Sequence, residues 1–198
     1  MDDRWLEIQR LREIDFNLIK PHIPRLIEIL KEKSIVRRIA FDILLEISEK
    51  NPEVLLDYVE DLKGLFGCGY ESVYSSLLLS NLALRYPDVV DREIVENIFG
   101  MLEFEEFRRY AMLSLSKICI VKPEELTNYI PRLIELIKDG DFHVRWNSAK
   151  ILLNLLSKNP EYIDEIVKIA ENRNLKPSVR VVAYVIVGFF RAQSNPST

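Results

Sequence analysis

The chain has 198 residues, 48% of them in the apolar class and 29% charged, enough to bury a sizeable core and too apolar for a disordered chain. Lys and Arg number 27 against 31 Asp and Glu, a formal net charge of −4 that argues against nucleic acid as the general partner. The first residues, MDDRWLEIQR, have neither the basic start nor the apolar run of a signal peptide, and no window approaches about 20 uninterrupted apolar residues. No membrane span is therefore expected, and the expected location is the cytoplasm.

In chain order, a first helix is expected from about Asp3 to Ile19, with Trp5, Ile8, Leu11, Ile14 and Leu18 on its apolar side. Pro21 and Pro24 precede IPRLIEILKEK, where Leu26, Ile27 and Leu30 set a helical stripe. The same spacing returns at Leu133, Ile134 and Ile137. After a turn at Lys33 and Ser34, residues 36–48 form a second helix with Val36, Ala40, Ile43, Leu44 and Ile47 inside. Cys68 and Cys119 are isolated and offer neither a disulfide framework nor metal-ligand spacing. The GLFGCG segment, residues 64–69, has no following Lys-Ser or Lys-Thr and no preceding strand, so it reads as a turn between helices and not as a phosphate loop.

The region 131–160 shows the architecture most clearly. One apolar stripe stops at Asp139, Gly140 and Asp141. A second follows through Val144, Ser148, Ala149, Leu152 and Leu156. Neither amphipathic helix hides its apolar face alone, so the two should pair antiparallel and still need neighbours.

Prolines repeat this unit along the chain: Pro52, Pro87, Pro123 and Pro160 are spaced by 35, 36 and 37 residues, and Pro196 falls 36 further on, where a sixth copy would begin. Arg37, Val73, Arg108, Arg145 and Arg180 run in parallel, each followed three residues later by a small side chain: Ala40, Ser76, Ala111, Ser148 and Ala183. Small residues there let helices approach closely, and Leu44, Leu115 and Leu152 one turn later fill the shared core. The expected fold is all-α: one repeat domain over 1–198, with an N-terminal helix and five helix pairs at about 21–50, 52–86, 87–122, 123–159 and 160–192.

A two-helix repeat of about this length, with a turn marked by Asp or Gly and a Val-Arg pair starting the second helix, resembles the HEAT family in its shorter form. The residues that carry the resemblance are Val36 and Arg37, Phe107 and Arg108, Asp141 with Val144 and Arg145, and Val179 and Arg180. The resemblance covers 21–192 and implies a right-handed curved α-α superhelix with second helices on its concave side. It also implies bonding within and between repeats at Asp141 and Arg145. The second copy departs from the pattern, with Val73 in place of Arg and Ser80 in place of Leu. Armadillo repeats need a third helix that these intervals cannot hold, and the tetratricopeptide signature of Trp, Leu, Gly and Tyr is missing.

Reactive chemistry is sparse. His22 and His143 are the only histidines and lie far apart in the chain, so neither a paired-histidine metal site nor a His proton relay is expected. His22, between Pro21 and Pro24, reads as structural. Glu105 with Glu106, and Glu124 with Glu125, stand at helix starts, where carboxylates offset exposed backbone donors. No catalytic residue, metal or cofactor is expected.

The surface offers more. One position after each member of the Arg series, Arg38, Tyr74, Arg109 and Trp146 should form an exposed row, with His143 at its edge and Lys150 in the next row beside Asp42, Leu78 and Leu113. Arg, Tyr and Trp suit recognition of another protein. The leading functional expectation is a nonenzymatic interaction module or scaffold that binds a protein partner through this face. The alternative, implied by HEAT-like DNA glycosylases, uses Arg38, Arg109, Arg145, Lys150 and Trp146 as a basic aromatic groove with Asp42 as the carboxylate. The VVAYVIVGFF stretch, residues 181–190, has no charge, which leaves two expectations open: Phe189 and Phe190 fold back onto the fourth repeat and the helix is buried within a monomer, or Tyr184, Ile186, Phe189 and Phe190 form a self-association patch, most economically a symmetric homodimer.

Overall fold

The computed structural model describes residues 8, 10, 11, 18–67 and 69–194. Trp5, Ile14, Cys68 and Pro196 lie outside the described residues. Ile8 and Leu11 are helical and buried as the apolar spacing expects, whereas Leu18 is exposed in a turn.

Among the described residues the chain is all-helical, with ten α-helices: α1 (Ile23–Lys31), α2 (Val36–Lys50), α3 (Val59–Lys63), α4 (Tyr70–Ala83), α5 (Arg92–Gly100), α6 (Arg108–Val121), α7 (Ile130–Leu136), α8 (Phe142–Leu155), α9 (Ile163–Glu171) and α10 (Pro177–Ser194). Pro52, Pro87, Pro123 and Pro160 each open a 3-10 helix, at Pro52–Tyr58, Pro87–Val89, Pro123–Tyr129 and Pro160–Tyr162. A proline has no N–H to leave unsatisfied in the first turn, and its fixed φ is already helical.

The chain divides into two compact units, residues 1–101 and 102–198. In the first, α2 packs on α1 and α4, and α4 also meets α3 and α5. Leu26, Ile27 and Leu30 of α1 and Ala40, Ile43, Leu44 and Ile47 of α2 are buried, as their spacing requires. Asp91 caps α5 by accepting the Ile94 N–H at 3.0 Å, and its other carboxylate oxygen holds the Lys63 ammonium at 2.7 Å. In the second unit, α8 packs on α6, α7 and α10, and α9 packs on α10. Ser148 at the small-residue position donates its hydroxyl to the Leu133 carbonyl at 2.5 Å, which brings α8 close to α7.

Helix α4 differs from its neighbours because every residue from Ser72 to Ala83 is buried. Its four serines satisfy their hydroxyls on backbone carbonyls. Ser75 donates to Leu62 at 2.7 Å, Ser76 to Val73 at 2.9 Å, Ser80 to Leu77 at 3.0 Å and Ser72 to Gly67 at 3.0 Å. A serine spent in this way carries no desolvation penalty for an unmade bond and can line a core. Ser80, which stands where Leu44, Leu115 and Leu152 fill three other copies, is therefore a core residue.

Candidate functional site

Three of the arginines that begin second helices, Arg108, Arg145 and Arg180, act on the turns before them. Arg108 Nε donates to the Leu102 carbonyl at 2.8 Å, Arg145 Nη1 to the carbonyls of Asp139 and Gly140 at 2.8 and 2.9 Å, and Arg180 Nε to Ala170 at 3.1 Å. These carbonyls stand at or just beyond helix C-termini, where intrahelical partners run out. Asp141 and Arg145, where the resemblance implies bonding within and between repeats, do not pair with each other. Arg145 is buried and spends its guanidinium on carbonyl oxygens, while Asp141 pairs with Arg109 of α6.

Asp141 does two jobs at once. Its Oδ1 accepts the N–H groups of His143 and Val144 at 2.7 and 3.2 Å, capping α8, and its Oδ2 accepts Arg109 Nε at 2.5 Å. Burial works to raise the pKa of this carboxyl, but the bonds from Arg109, Val144 and His143 and the Arg109 charge outweigh it and hold the carboxyl below the usual range. Beside it, Arg108 Nη1 meets Asp139 Oδ2 at 3.2 Å.

The predicted row is divided by the structure. Arg38 is exposed but bound to Asp42 at 2.9 Å on its own helix. Tyr74 does not belong to an exposed row. It is only 8% exposed, with its ring 4.5 Å from that of Phe41, because α4 is enclosed on all sides. Leu78 and Leu82 are buried for the same reason. In the second unit the row is open: Arg109, His143 and Lys150 are exposed, Trp146 is 39% exposed and Leu113 is 40% exposed.

The row also gains a member that the spacing argument missed. Phe142, 56% exposed, stacks on Trp146 with ring centroids 6.2 Å apart at 14°, and the His143 ring meets it edge-on at 5.6 Å. The signal was present, since Phe142 precedes Trp146 by four residues and so shares its helix face. Glu105, Glu106, Arg108, Arg109, Asp139 and Asp141 line a cleft of about 550 Å³ at the N-terminal ends of α6 and α8. Its two arginines are matched by Asp139 and Asp141, while Glu105 and Glu106 have no ionic partner among the described residues. This end of the strip is thus acidic. Glu105 and Glu106 accept no helix-capping bond either, and the side-chain caps among the described helices are Asp91 and Asp141.

On α10 the self-association patch is corrected. Ile186 is fully buried, with Val179, Val182, Ala183 and Val187 on the same inner stripe, so it cannot take part in an exposed contact. The outer face instead presents Val181, Tyr184, Val185 and Phe189, and Phe190 is half-buried.

Among the described residues no group of three or more His, Cys, Asp or Glu is placed to hold a metal ion. No helix among them is long and apolar enough to cross a membrane. No protein-family model matches the chain, and no curated protein matches it in sequence.

Proposed function

We propose that this chain is a HEAT-like repeat protein, a right-handed α-α superhelix, that works as a nonenzymatic module binding another protein through the outward face of its second helices. The binding surface is the strip formed by Arg109 and Leu113 on α6 and by Phe142, His143, Trp146 and Lys150 on α8. The observation that carries this reading is the exposed, stacked pair Phe142 and Trp146 on the helix whose capping residue, Asp141, also fixes Arg109. Aromatic side chains held rigid before binding lose little entropy on contact, and an Arg already oriented presents its remaining donors at low cost. The unpaired Glu105 and Glu106 at one end favour a partner segment with a basic residue next to its apolar anchor.

Copurification from the native cell, with wild-type chain and with a Phe142→Ser/Trp146→Ser double variant as bait, tests this. A partner retained by the wild type and lost from the variant at equal helicity is expected. A partner held equally by both would move the binding surface elsewhere.

The DNA glycosylase reading loses its basic groove: Arg38 is matched by Asp42, Arg109 by Asp141, and Arg145 is buried on carbonyls. Of its five proposed contacts, Lys150 is the exposed cation left without a counter-charge among the described residues.

A second reading concerns α10. Its outer face, Val181, Tyr184, Val185 and Phe189, is uncharged between Arg180 and Arg191, and a symmetric homodimer through this face would remove it from water.

A further inference from the structure

A cleft of about 630 Å³ in the first unit, at the N-terminal ends of α2 and α4, is lined by Lys33, Ser34, Arg37, Gly69, Tyr70 and Glu71. Arg37 occupies the same place in its helix as Arg108, Arg145 and Arg180, but it does not do what they do. Those three donate to carbonyls of the preceding turn. The Arg37 guanidinium instead lies over the rings of Tyr70 and Tyr74, 5.7 and 5.6 Å from their centroids, and donates to no acceptor among the described residues.

Stacking on an aromatic face fixes a guanidinium through its π-surface and leaves its edge, with up to five N–H donors, pointing outward in one plane. Ser34 adds a second unused donor: its Oγ is buried and has no hydrogen-bond partner. A buried hydroxyl without a partner loses its hydration and gains nothing in return, so its presence beside an unused guanidinium points to a missing acceptor. Lys33, also without an ionic partner among the described residues, supplies a third. The single carboxylate in the lining, Glu71, is folded back over Gly69 at the start of α4: a Cβ on residue 69 would come within 2.5 Å of its Oε2. There it sits against the positive end of its own helix.

We propose that this cleft binds a phosphate-type oxyanion, with the Arg37 edge and the Ser34 hydroxyl as hydrogen-bond donors and Lys33 as a mobile counter-charge. A tetrahedral anion uses three donor groups of this kind, whereas a planar carboxylate is already satisfied by the guanidinium fork alone. This site lies in the first unit and is independent of the docking strip on α6 and α8. It would hold either free phosphate or a phosphoryl group carried on a larger molecule.

The test is a titration of the ¹⁵N-labelled full chain with inorganic phosphate, with N-acetyl-phosphoserine amide and with acetate, each at constant ionic strength. Saturable shifts of the Ser34 and Tyr70 amides and of the Arg37 side-chain Nε signal are expected with the first two. Tighter binding of the phosphoserine amide identifies a carried phosphoryl group, and tighter binding of phosphate identifies the free ion. Arg37→Gln should weaken binding at least ~tenfold and Ser34→Ala several-fold, because charge-assisted and buried hydrogen bonds are lost. Lys33 lies on the rim of the cleft, so Lys33→Gln tests the site without touching the core, and it should weaken binding about threefold. Glu71→Gln removes the one like charge and should tighten it. Shifts that do not saturate, equal shifts with acetate, or affinity unchanged in both Arg37→Gln and Lys33→Gln would overturn the proposal.

Discussion

Arg109 reaches from the first turn of α6 to the start of α8 and donates to Asp141 Oδ2, while the other oxygen of that carboxylate caps α8 through the His143 and Val144 N–H groups. Two helix starts whose residues Arg109 and Asp141 are 32 positions apart in the chain thus meet at one side chain. The carboxylate ties the helix start to its neighbour and fixes Arg109 at the residue that directly precedes Phe142.

The two halves of this relationship should differ in strength. Asp141→Ala removes a cap and is expected to cost about 1–2 kcal/mol. Arg109→Ala removes an exposed ion pair, worth at most about 1 kcal/mol. Urea unfolding of both variants checks the order. The pH dependence follows from the depressed Asp141 pKa. The folded carboxyl releases its proton more readily than the unfolded one, so its contribution is complete above the unfolded value near 3.8 and is lost as pH falls through the folded value. Asp141→Asn should therefore flatten the acid limb of the stability curve and leave the alkaline limb unchanged.

Cys119 is buried on α6, and burial pushes its thiol up to about 11 despite the Asn154 hydrogen bond that favours the thiolate. Thiolate is the reactive form. Iodoacetamide at about pH 8, below the ordinary thiol pKa, should leave Cys119 unlabelled in the native protein and modify it once urea unfolds the chain, as read by peptide mapping. Rapid native labelling would mean that α6 opens.

Slow exchange is expected over Val144–Leu155, and faster exchange over the turn between α3 and α4. There one side chain holds Gly67 at both ends: Ser72 Oγ accepts the Gly67 N–H at 2.8 Å and donates to the Gly67 carbonyl at 3.0 Å. Ser72→Ala should raise the exchange rate of the Gly67 amide at least ~tenfold while α8 keeps its protection, because only the local bond is lost. Protection at Gly67 equal to that of α8 in the wild type would sink this expectation.

How far such details can be read from the chain depends on which partner each residue uses. The four recurring prolines translate into four 3-10 helix starts because proline's constraint is local. The apolar stripes of α1, α2, α7 and α8 likewise need only their own spacing. Spacing alone misplaces Tyr74 because α4 looks half polar: its serines turn inward onto carbonyls, and a carbonyl acceptor leaves no trace in sequence. The carbonyls of Asp139 and Gly140 that hold the Arg145 guanidinium are hidden from the sequence in the same way. On α10 the contrast that reveals a helix face is missing. Inner and outer residues are all apolar, so Ile186 and Phe189 cannot be separated until neighbours are in place.

That separation gives the last prediction. Ile186 lies on the stripe of α10 with Val179, Val182, Ala183 and Val187, all buried, while Phe189 is 49% exposed on the opposite side with Val181 and Val185. Ile186→Ala opens a cavity where α10 meets its packing neighbours and is expected to cost about 2–5 kcal/mol. Phe189→Asp places a charge where water already reaches and should change stability by less than about 1 kcal/mol. Unfolding curves for the two variants decide between inner and outer assignment, and a Phe189→Asp variant as damaged as Ile186→Ala would refute an outward-facing Phe189. Association is read separately, by light scattering over a range of concentrations. Under the homodimer reading the wild type grows in mass with concentration and Phe189→Asp does not, because an isologous contact places the new carboxylate close to its own symmetry copy and like charges oppose each other across a low-dielectric contact. A wild type that stays monomeric throughout removes the homodimer, and a dimer untouched by Phe189→Asp puts its interface on another surface.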